Sequence, residues 1–370
     1  MLATGTTVRA AVIIWCTGIS GSGRKDYLRE VAAYFAAQGQ RCTVFEFGEL
    51  LAKVQDETRI ADDATTLLDG NPVVLEVQRK AAFRRLLDEL RGLPAGEVAI
   101  VSNHACFMRR GRLQSALDMA LIKLHLAPII DMYVTVVDGA FDVYRRQQEH
   151  REWRGHLSLA EIAIWRDFET TLTQMLAQYE GKPFYVLARR EPPETLFRLC
   201  RRPPPKRIYL SYPITAIADT HPELLAEAER LAARLRAAGF IVFNPMAVDD
   251  TPGGPSSSAF AAEAALPPEA LAAAAPYLTS QTISRDFQLI DQSDWVVVYY
   301  PTDKISPGVL SEMQHARDVR IPVFLCAFPG AISPFLGILY QQAFATPDEL
   351  IAALSAMATP PDGARPPAPS

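Results

Sequence analysis

Residues 284–316 read SRDFQLIDQSDWVVVYYPTDKISPGVLSEMQHA. The run from Trp295 to Tyr300 is uninterrupted β-branched and aromatic sequence, which predicts a strand covered on both faces. Before the strand, Phe287 and Ile290 give a helix one apolar face. After it, Ser306 is followed by proline, which indicates an N-cap and the first position of a second helix. The order helix, buried strand, helix is typical of an α/β domain.

Three polar side chains in this stretch are predicted to meet. Asp286 precedes the strand, Ser306 follows it, and Glu312 lies about two turns into the second helix. Open α/β sheets bind their ligands outside the carboxyl ends of their strands. We therefore expect these three residues to line a site at that edge.

The pattern Asp286, Ser293-Asp294, Ser306-x-Gly308-Val309-x-x-Glu312 and Ala316 resembles the nucleoside 2-deoxyribosyltransferase superfamily. That superfamily includes the 2'-deoxynucleoside 5'-phosphate N-hydrolases. The resemblance extends from Arg207 to about Phe328. It includes the strand Ile208 to Ser211 and the stretch GFIVFNP at 239–245.

The resemblance implies three catalytic residues. Glu312 would be the nucleophile that attacks the anomeric carbon, and a helix start favours its ionised form through the helix dipole. Asp286 would orient the sugar or shuttle the proton, the usual second role at a glycosidic bond. Tyr209 matches a tyrosine at the end of the first strand. No metal or cofactor is implied for the glycosidase step.

Ser306, Gly308 and Asn244 are the predicted substrate-binding residues. In the transferases the position of Ser306 is an aspartate that holds the 5'-hydroxyl, whereas the nucleotide hydrolases have a serine that helps bind a 5'-phosphate. A plain helix cap is an equal alternative for Ser306. The hydrolases' glycine- and arginine-bearing turn after the first strand is replaced here by YPIT at 212–215. Base, sugar and phosphate specificity therefore stay open.

A second candidate site lies near the start of the chain. Val8 to Thr17 is predicted as a strand and Tyr27 to Ala37 as a helix, with GISGSGRKD at 18–26 between them. A glycine-rich turn between a strand and a helix can hold phosphate through backbone N–H groups and the helix dipole. The candidate nucleotide-binding residues are Gly18, Gly21, Gly23, Arg24 and Lys25.

From about Val8 to Ala188 the pattern resembles adenylate-kinase-like P-loop kinases with an altered phosphate loop. Arg24 stands at the usual lysine position. Lys25 replaces the Ser/Thr whose hydroxyl normally ligates magnesium. ATP or GTP with Mg²⁺ is the cofactor candidate. Phosphoryl transfer, binding without transfer and a structural role are the open alternatives.

The predicted fold is α/β with two doubly wound parallel-sheet domains. Residues 1–200 form the P-loop kinase-like domain and residues 207–358 the deoxyribosyltransferase-like domain. The intervening residues 201–206, RRPPPK, form a stiff proline-rich linker. Within the second domain, Asp249 to Thr279 is interpreted as an inserted loop with one short helix. Residues 359–370 are predicted to be a disordered tail.

Composition narrows the possible partners. The net charge of −5 comes without a dense basic run, which argues against a nucleic-acid polymer as partner. Five scattered cysteines form no metal or disulfide pattern and suit a reducing compartment. No membrane span is recognisable. We expect a cytoplasmic protein that binds a small-molecule nucleotide or nucleoside, and a homodimer stays open.

The leading hypothesis is an enzyme, a nucleotide or nucleoside N-glycosidase fused to a nucleotide-binding P-loop domain. It would act as a base-releasing hydrolase or as a deoxyribosyltransferase. Two alternatives stay open. One is a nucleotide-sensing regulatory protein without turnover. The other is a bifunctional nucleotide kinase and N-glycosidase.

Overall fold

A computed structural model describes residues 11–58, 71–109, 111–217, 221–248, 250, 266–327 and 334–358. The chain divides into two compact units. The first unit comprises residues 1–200 and 246–283, and the second unit comprises residues 201–245 and 284–370. The division after Cys200 lies where the sequence predicted a boundary. Residues 246–283, assigned from the sequence to the second domain, instead group with the first unit.

The first unit contains a parallel sheet of five described strands in the order β2-β3-β1-β6-β7. Every residue of β1, β3 and β6 is buried, as expected for apolar strands covered on both faces. The strands are β1 Val12–Thr17, β2 Cys42–Glu46, β3 Val98–Ser102, β6 Met132–Val137 and β7 Phe184–Ala188. A separate antiparallel hairpin pairs β4 Cys106–Arg109 with β5 Arg112–Ser115.

Helices connect these strands. The longer ones are Arg24–Ala37, Phe47–Thr58, Pro72–Arg91, Ala140–Glu149, Leu159–Glu180 and Pro193–Leu199. The helix Leu159–Glu180 begins with a capping box, because Ser158 and Glu161 each accept a hydrogen bond from the other's backbone N–H. A short helix Met119–Leu121 continues as the π-helix Ile122–Leu126.

Buried polar contacts attach residues 246–283 to the rest of the first unit. The Arg166 Nη1 atom lies 2.8 Å from Asp250 Oδ2, and both side chains are almost fully buried. The Gln281 side-chain amide donates to the Ala163 carbonyl at 2.7 Å. Separating a buried ion pair is costly, because each charge would be left without its partner. These contacts therefore explain why the segment belongs to this unit.

The second unit also contains a parallel sheet of five described strands, in the order β12-β11-β10-β8-β9. The strands are β8 Arg207–Ser211, β9 Ile241–Phe243, β10 Trp295–Tyr300, β11 Val323–Ala327 and β12 Gln342–Phe344. The longer helices are Pro222–Ala237, Pro307–Asp318 and Pro347–Ala358. The α/β class predicted from the sequence is thus confirmed, with one parallel sheet in the described part of each unit.

The predicted insertion differs most from the structure. Asp249 and residues 251–265 lie outside the described residues, as does the predicted tail at 359–370. Residues 268–279 of the predicted loop belong to a long helix, Pro268–Asp291, with Pro276 in its interior. Its alanine-rich sequence has high helix propensity, which outweighs the proline signal.

Among the described residues, no helix combines the length and apolar composition needed to cross a membrane.

Candidate functional site

In the second unit, the candidate site forms around Glu312 at the carboxyl ends of β8 and β10. These strands are neighbours, with Ser211 at the end of β8 opposite Val298 in β10. The Ser211 hydroxyl donates a hydrogen bond of 2.5 Å to Glu312 Oε2. Ser211 is fully buried, whereas Glu312 keeps some accessible surface. The end of β8 therefore holds the carboxyl group of a residue that is partly exposed.

The turn after β10 is fixed by its own hydrogen bonds. The Ser306 side chain caps the helix Pro307–Asp318 by accepting from the Val309 N–H at 3.4 Å. The Ser306 N–H donates to the Tyr300 hydroxyl at 3.0 Å, and that hydroxyl donates to the Lys304 carbonyl at 2.7 Å. Ser306 is thus an N-cap, as predicted, and it fixes the start of the helix that carries Glu312.

The ionisation of Glu312 differs from the sequence expectation. Desolvation by the surrounding protein, together with the nearby Asp286 carboxylate, raises the pKa of Glu312 to about 8. The Ser211 hydrogen bond, the Tyr209 hydroxyl and the Arg285 guanidinium act in the opposite direction. The dipole of the helix was expected to keep Glu312 ionised, but burial beside a second carboxylate outweighs it.

Asp286, the second predicted acid, lies in the same part of the unit. Its Oδ1 atom accepts from Arg285 Nη2 at 3.0 Å and from Arg285 Nε at 3.2 Å. Both side chains are largely buried, with 12% and 14% of their surfaces exposed for Arg285 and Asp286. Arg285 was missed by the sequence analysis, because nothing distinguishes it from an exposed arginine on the helix before β10.

Tyr209 is completely buried next to Glu312. Its hydroxyl makes no well-formed hydrogen bond to any residue that the structure describes, although it lies close enough to lower the pKa of the Glu312 carboxyl. Burial first, and then the charges of Asp286 and Glu312, raise the pKa of Tyr209 well above its ordinary value. Tyr209 is therefore a neutral hydroxyl beside the acid at neutral pH.

Both polar atoms of the Asn244 side-chain amide are hydrogen-bonded to other side chains. Its Oδ1 atom accepts from the Tyr212 hydroxyl at 2.8 Å, and its Nδ2 atom donates to Glu229 Oε1 at 2.6 Å. Burial raises the pKa of Tyr212, and the Glu312 charge raises it further, so Tyr212 also lies near the acid. Asn244 is thus hydrogen-bonded to a tyrosine that lies near Glu312. The predicted direct contact with substrate stays a prediction.

Gly308 lies exposed on the first turn of the helix after Ser306. A Cβ atom added there would meet no atom within 4 Å. The described residues therefore give no packing reason for glycine at this position, and its role in substrate binding also stays a prediction.

The second unit also has a cavity of about 330 Å³ away from Glu312. Its lining includes Arg230, Arg234, Tyr299 and Cys326, and none of the predicted site residues.

In the first unit, Gly18, Gly21 and Gly23 form the turn between β1 and the helix Arg24–Ala37. Gly23 is the N-cap of that helix with φ 72°, a left-handed conformation that favours glycine. At Gly18 an added Cβ would lie 2.7 Å from the Val136 carbonyl oxygen. The glycines are therefore needed for the shape of this loop.

Arg24 and Lys25 are both engaged by protein groups. The Arg24 guanidinium is buried, donating to Ser102 Oγ at 2.9 Å and to the Gly18 carbonyl. Lys25 lies half exposed, 3.4 Å from Glu49 Oε1 and 3.9 Å from Glu46 Oε2. Neither side chain supplies the hydroxyl that magnesium binds in a P-loop, so the residues present do not fit that metal site.

Glu169, in the helix Leu159–Glu180, is a further residue of this region that the sequence did not reveal. It is fully buried and accepts backbone N–H groups from Gly18 at 3.0 Å, Ala105 at 2.8 Å and Cys106 at 2.8 Å. Burial raises the pKa of Glu169, whereas these three hydrogen bonds lower it. An available signal was the position of Glu169 on the same helical face as Trp165 and Thr173, which is otherwise buried.

Other side chains also bind the loop from within the unit. Arg146 Nε donates to the Gly21 carbonyl at 2.5 Å, and Gln147 Nε2 donates to the Ser20 carbonyl at 2.6 Å. Ser22 Oγ, Asn103 Nδ2 and His104 Nδ1 are among the buried polar atoms that have no hydrogen-bond partner within the described part of the chain. Such atoms are costly unless a ligand or solvent satisfies them.

Neither a scan against protein-family models nor a search of curated proteins finds a match to this chain. Over the described ranges, no three His, Cys, Asp or Glu side chains are grouped as metal ligands would be.

Proposed function

We propose that the second unit is an N-glycosidase that releases the base from a nucleoside or nucleotide, with Glu312 as the nucleophile. One observation carries the proposal. A carboxyl group at a strand edge is held by Ser211 beside a second acid, Asp286. Two carboxyl groups whose environments separate their roles are the usual equipment for cleaving a glycosidic bond.

The chemistry follows from these groups. Ionised Glu312 attacks the anomeric carbon, and the C–N bond breaks as the base leaves with its electron pair and takes up a proton. Asp286 orients the sugar or carries that proton. Water then attacks the anomeric carbon and gives a proton to the solvent or to Asp286, while the ester bond to Glu312 breaks, which frees the sugar and restores the Glu312 carboxylate. A second base in place of water makes the reaction a transfer.

The raised pKa of Glu312 shapes this mechanism. With a pKa of about 8, only about a tenth of the molecules carry ionised Glu312 at pH 7. Ser211 favours the ionised form by donating a hydrogen bond to the carboxylate, and the nearby Tyr209 hydroxyl acts in the same direction. We therefore expect the reaction to depend on these donors and to become faster as the pH rises.

A panel of nucleosides and 5'-nucleotides tests the proposal. The protein is incubated with each compound, with and without an acceptor base, and free base and exchanged nucleoside are measured. We expect base release by the natural protein and none above background by Glu312→Gln. Asp318→Asn, which changes an exposed carboxylate of the same helix, is the matched control and should keep full activity.

We further propose that the first unit, which resembles P-loop kinases, binds a nucleotide without transferring its phosphoryl group. The support is the loop that its glycines shape, in which Arg24 is held by Ser102. Ser22 Oγ, Asn103 Nδ2 and His104 Nδ1 add buried polar atoms that no described residue satisfies. If the panel yields no free base while calorimetry detects nucleotide binding, the nucleotide-sensing alternative replaces the N-glycosidase.

A further inference from the structure

The contact between Arg285 and Asp286 is unusual for a helix. Consecutive helical residues point about 100° apart and do not normally face each other. Here two nitrogens of the Arg285 side chain, Nη2 and Nε, lie 3.0 Å and 3.2 Å from the same oxygen, Oδ1 of Asp286. The long arginine side chain must therefore turn along the helix toward its neighbour.

This pair is shielded from solvent. Only 12% of the Arg285 side-chain surface and 14% of the Asp286 side-chain surface are exposed. Partly desolvated charges interact more strongly than exposed ones, and removing one partner leaves the other uncompensated. The ion pair to Asp286 is therefore stronger than an exposed pair and helps to hold the guanidinium in place.

The surroundings of Glu312 show what this cation does. Ser211 and Tyr209 come from β8, Tyr212 follows β8, and Asp286 and Arg285 come from the helix Pro268–Asp291. Among the groups that act on Glu312, Asp286 opposes its negative charge and Arg285 favours it. Arg285 also favours the ionised form of Tyr209.

We propose that Arg285 is a positioning residue of this site, which fixes the Asp286 carboxylate through their ion pair and supplies the positive charge that lets two acids lie together. The inference rests on the proposed function, because it assigns Glu312 the role of an ionised nucleophile. In this proposal Arg285 does not contact the substrate.

The direct test is a titration of Glu312 by carbon-13 NMR of glutamate-labelled full-length protein, with the signal assigned by its loss in Glu312→Gln. Because an opposite charge shifts a carboxyl pKa by about 1–3 units, Arg285→Ala should move the Glu312 midpoint upward by about one unit or more. Arg285→Lys should recover part of this shift. Arg317→Ala, which removes an exposed arginine of the helix that carries Glu312, should leave the midpoint unchanged.

Activity gives a second readout. In Arg285→Ala we expect kcat/KM for base release to fall about tenfold at pH 7 and to recover as the pH is raised, since the loss is one of ionised Glu312. If Arg285→Ala does not fold, Arg285→Met removes the charge while keeping most of the aliphatic stem. A folded neutral variant with an unmoved Glu312 midpoint overturns the proposal.

The two proposals fail in different ways. If the natural protein releases no base, the N-glycosidase is wrong, while the NMR titration still decides whether Arg285 sets the charge of this site. If base is released and the neutral Arg285 variants keep the natural pH profile, the N-glycosidase stands and the role of Arg285 is wrong.

Discussion

The Ser211 hydroxyl and the Glu312 carboxylate are joined by a 2.5 Å hydrogen bond, although 101 positions separate the two residues in the chain. The contact exists because β8 and β10 are parallel neighbours, so that their carboxyl ends meet at one edge of the sheet. It links a predicted functional residue, Glu312, to one that the sequence analysis did not single out, Ser211.

Ser211→Ala should slow base release at neutral pH. The substitution removes a donor that lowers the pKa of Glu312, so less Glu312 is ionised at pH 7. A hydrogen bond to a charged group contributes about 1.5–3 kcal/mol, which predicts a loss of about 10–100-fold in kcat/KM. The control is Ser293→Ala, because the buried Ser293 hydroxyl, just after the helix Pro268–Asp291, donates to the Leu289 carbonyl of that helix. Equal losses in the two variants would remove the assigned role of Ser211.

Glu312→Gln should stabilise the second unit at alkaline pH. The folded pKa of about 8 lies above the ordinary 4.5, so the folded state binds the extra proton between these values. Stability attributable to Glu312 is therefore present below pH 4.5 and is lost as the pH rises through 8, at about 1.4 kcal/mol per unit at most. Gln resembles the protonated acid and avoids this loss.

Thermal unfolding of both proteins between pH 5 and pH 9 checks this prediction. The melting temperature of Glu312→Gln relative to the natural protein should rise with pH. Asp318→Asn, which alters an exposed carboxylate, should show no such trend. A constant difference across the range would mean that Glu312 has an ordinary pKa in the folded protein.

Ser306→Ala should separate a phosphate-binding residue from a plain helix cap. The cap itself is certain from the geometry, since Ser306 accepts from the Val309 N–H, and its loss should cost about 1 kcal/mol of stability. If Ser306 also binds a 5'-phosphate, KM should rise more for 5'-monophosphates than for the parent nucleosides. Ser306→Asp is the matched variant, because it retains a capping oxygen but adds a charge that repels phosphate. Equal effects on both substrate types leave Ser306 as a cap only.

The sequence was most informative where one local signal dominates. The apolar run Trp295–Tyr300 gave the strand with its observed ends, and Ser306 followed by proline gave the cap of the next helix. By contrast, Phe47 begins the helix Phe47–Thr58 directly after β2, and the sequence analysis did not predict this helix. The Phe47 ring packs 4.5 Å from the Phe83 ring, a tertiary contact that local propensity does not contain.

Residues that depend on long-range contacts could not be predicted in the same way. Glu169 is held by three backbone donors that lie 63, 64 and 151 positions away. Likewise, the charge of Arg285 lowers the pKa of Tyr209 from β8 and of Glu312 from the helix after β10. Both effects depend on contacts between elements that are distant in the sequence. The helix dipole lowers the pKa of Glu312 and could be predicted from the sequence. Desolvation in the folded protein raises this pKa by more, and it could not be predicted from the sequence.

The first unit should bind ATP or GTP with little dependence on magnesium, and its phosphoryl transfer should be slow or absent. The loop glycines provide the backbone shape, while Arg24 is occupied by Ser102 and Lys25 lacks the hydroxyl that ligates magnesium. Calorimetry with and without Mg²⁺ measures binding. Arg24→Lys combined with Lys25→Ser should increase the magnesium dependence. Phosphorylation of a nucleotide at ordinary kinase rates, on the order of 1–100 per second, would instead make the chain a bifunctional kinase and glycosidase.

The pH dependence of kcat/KM for base release, measured from pH 6 to pH 10, addresses the role of Glu312 most directly. This parameter reports ionisation in the free protein, where the pKa of Glu312 is about 8. A nucleophile must be ionised, so we predict that kcat/KM rises with pH, levels off above an apparent pKa of about 8, and is lost at all pH values in Glu312→Gln. A rate that falls as the pH rises through 8 would make Glu312 a proton donor, and undiminished base release by Glu312→Gln would exclude it from the chemistry.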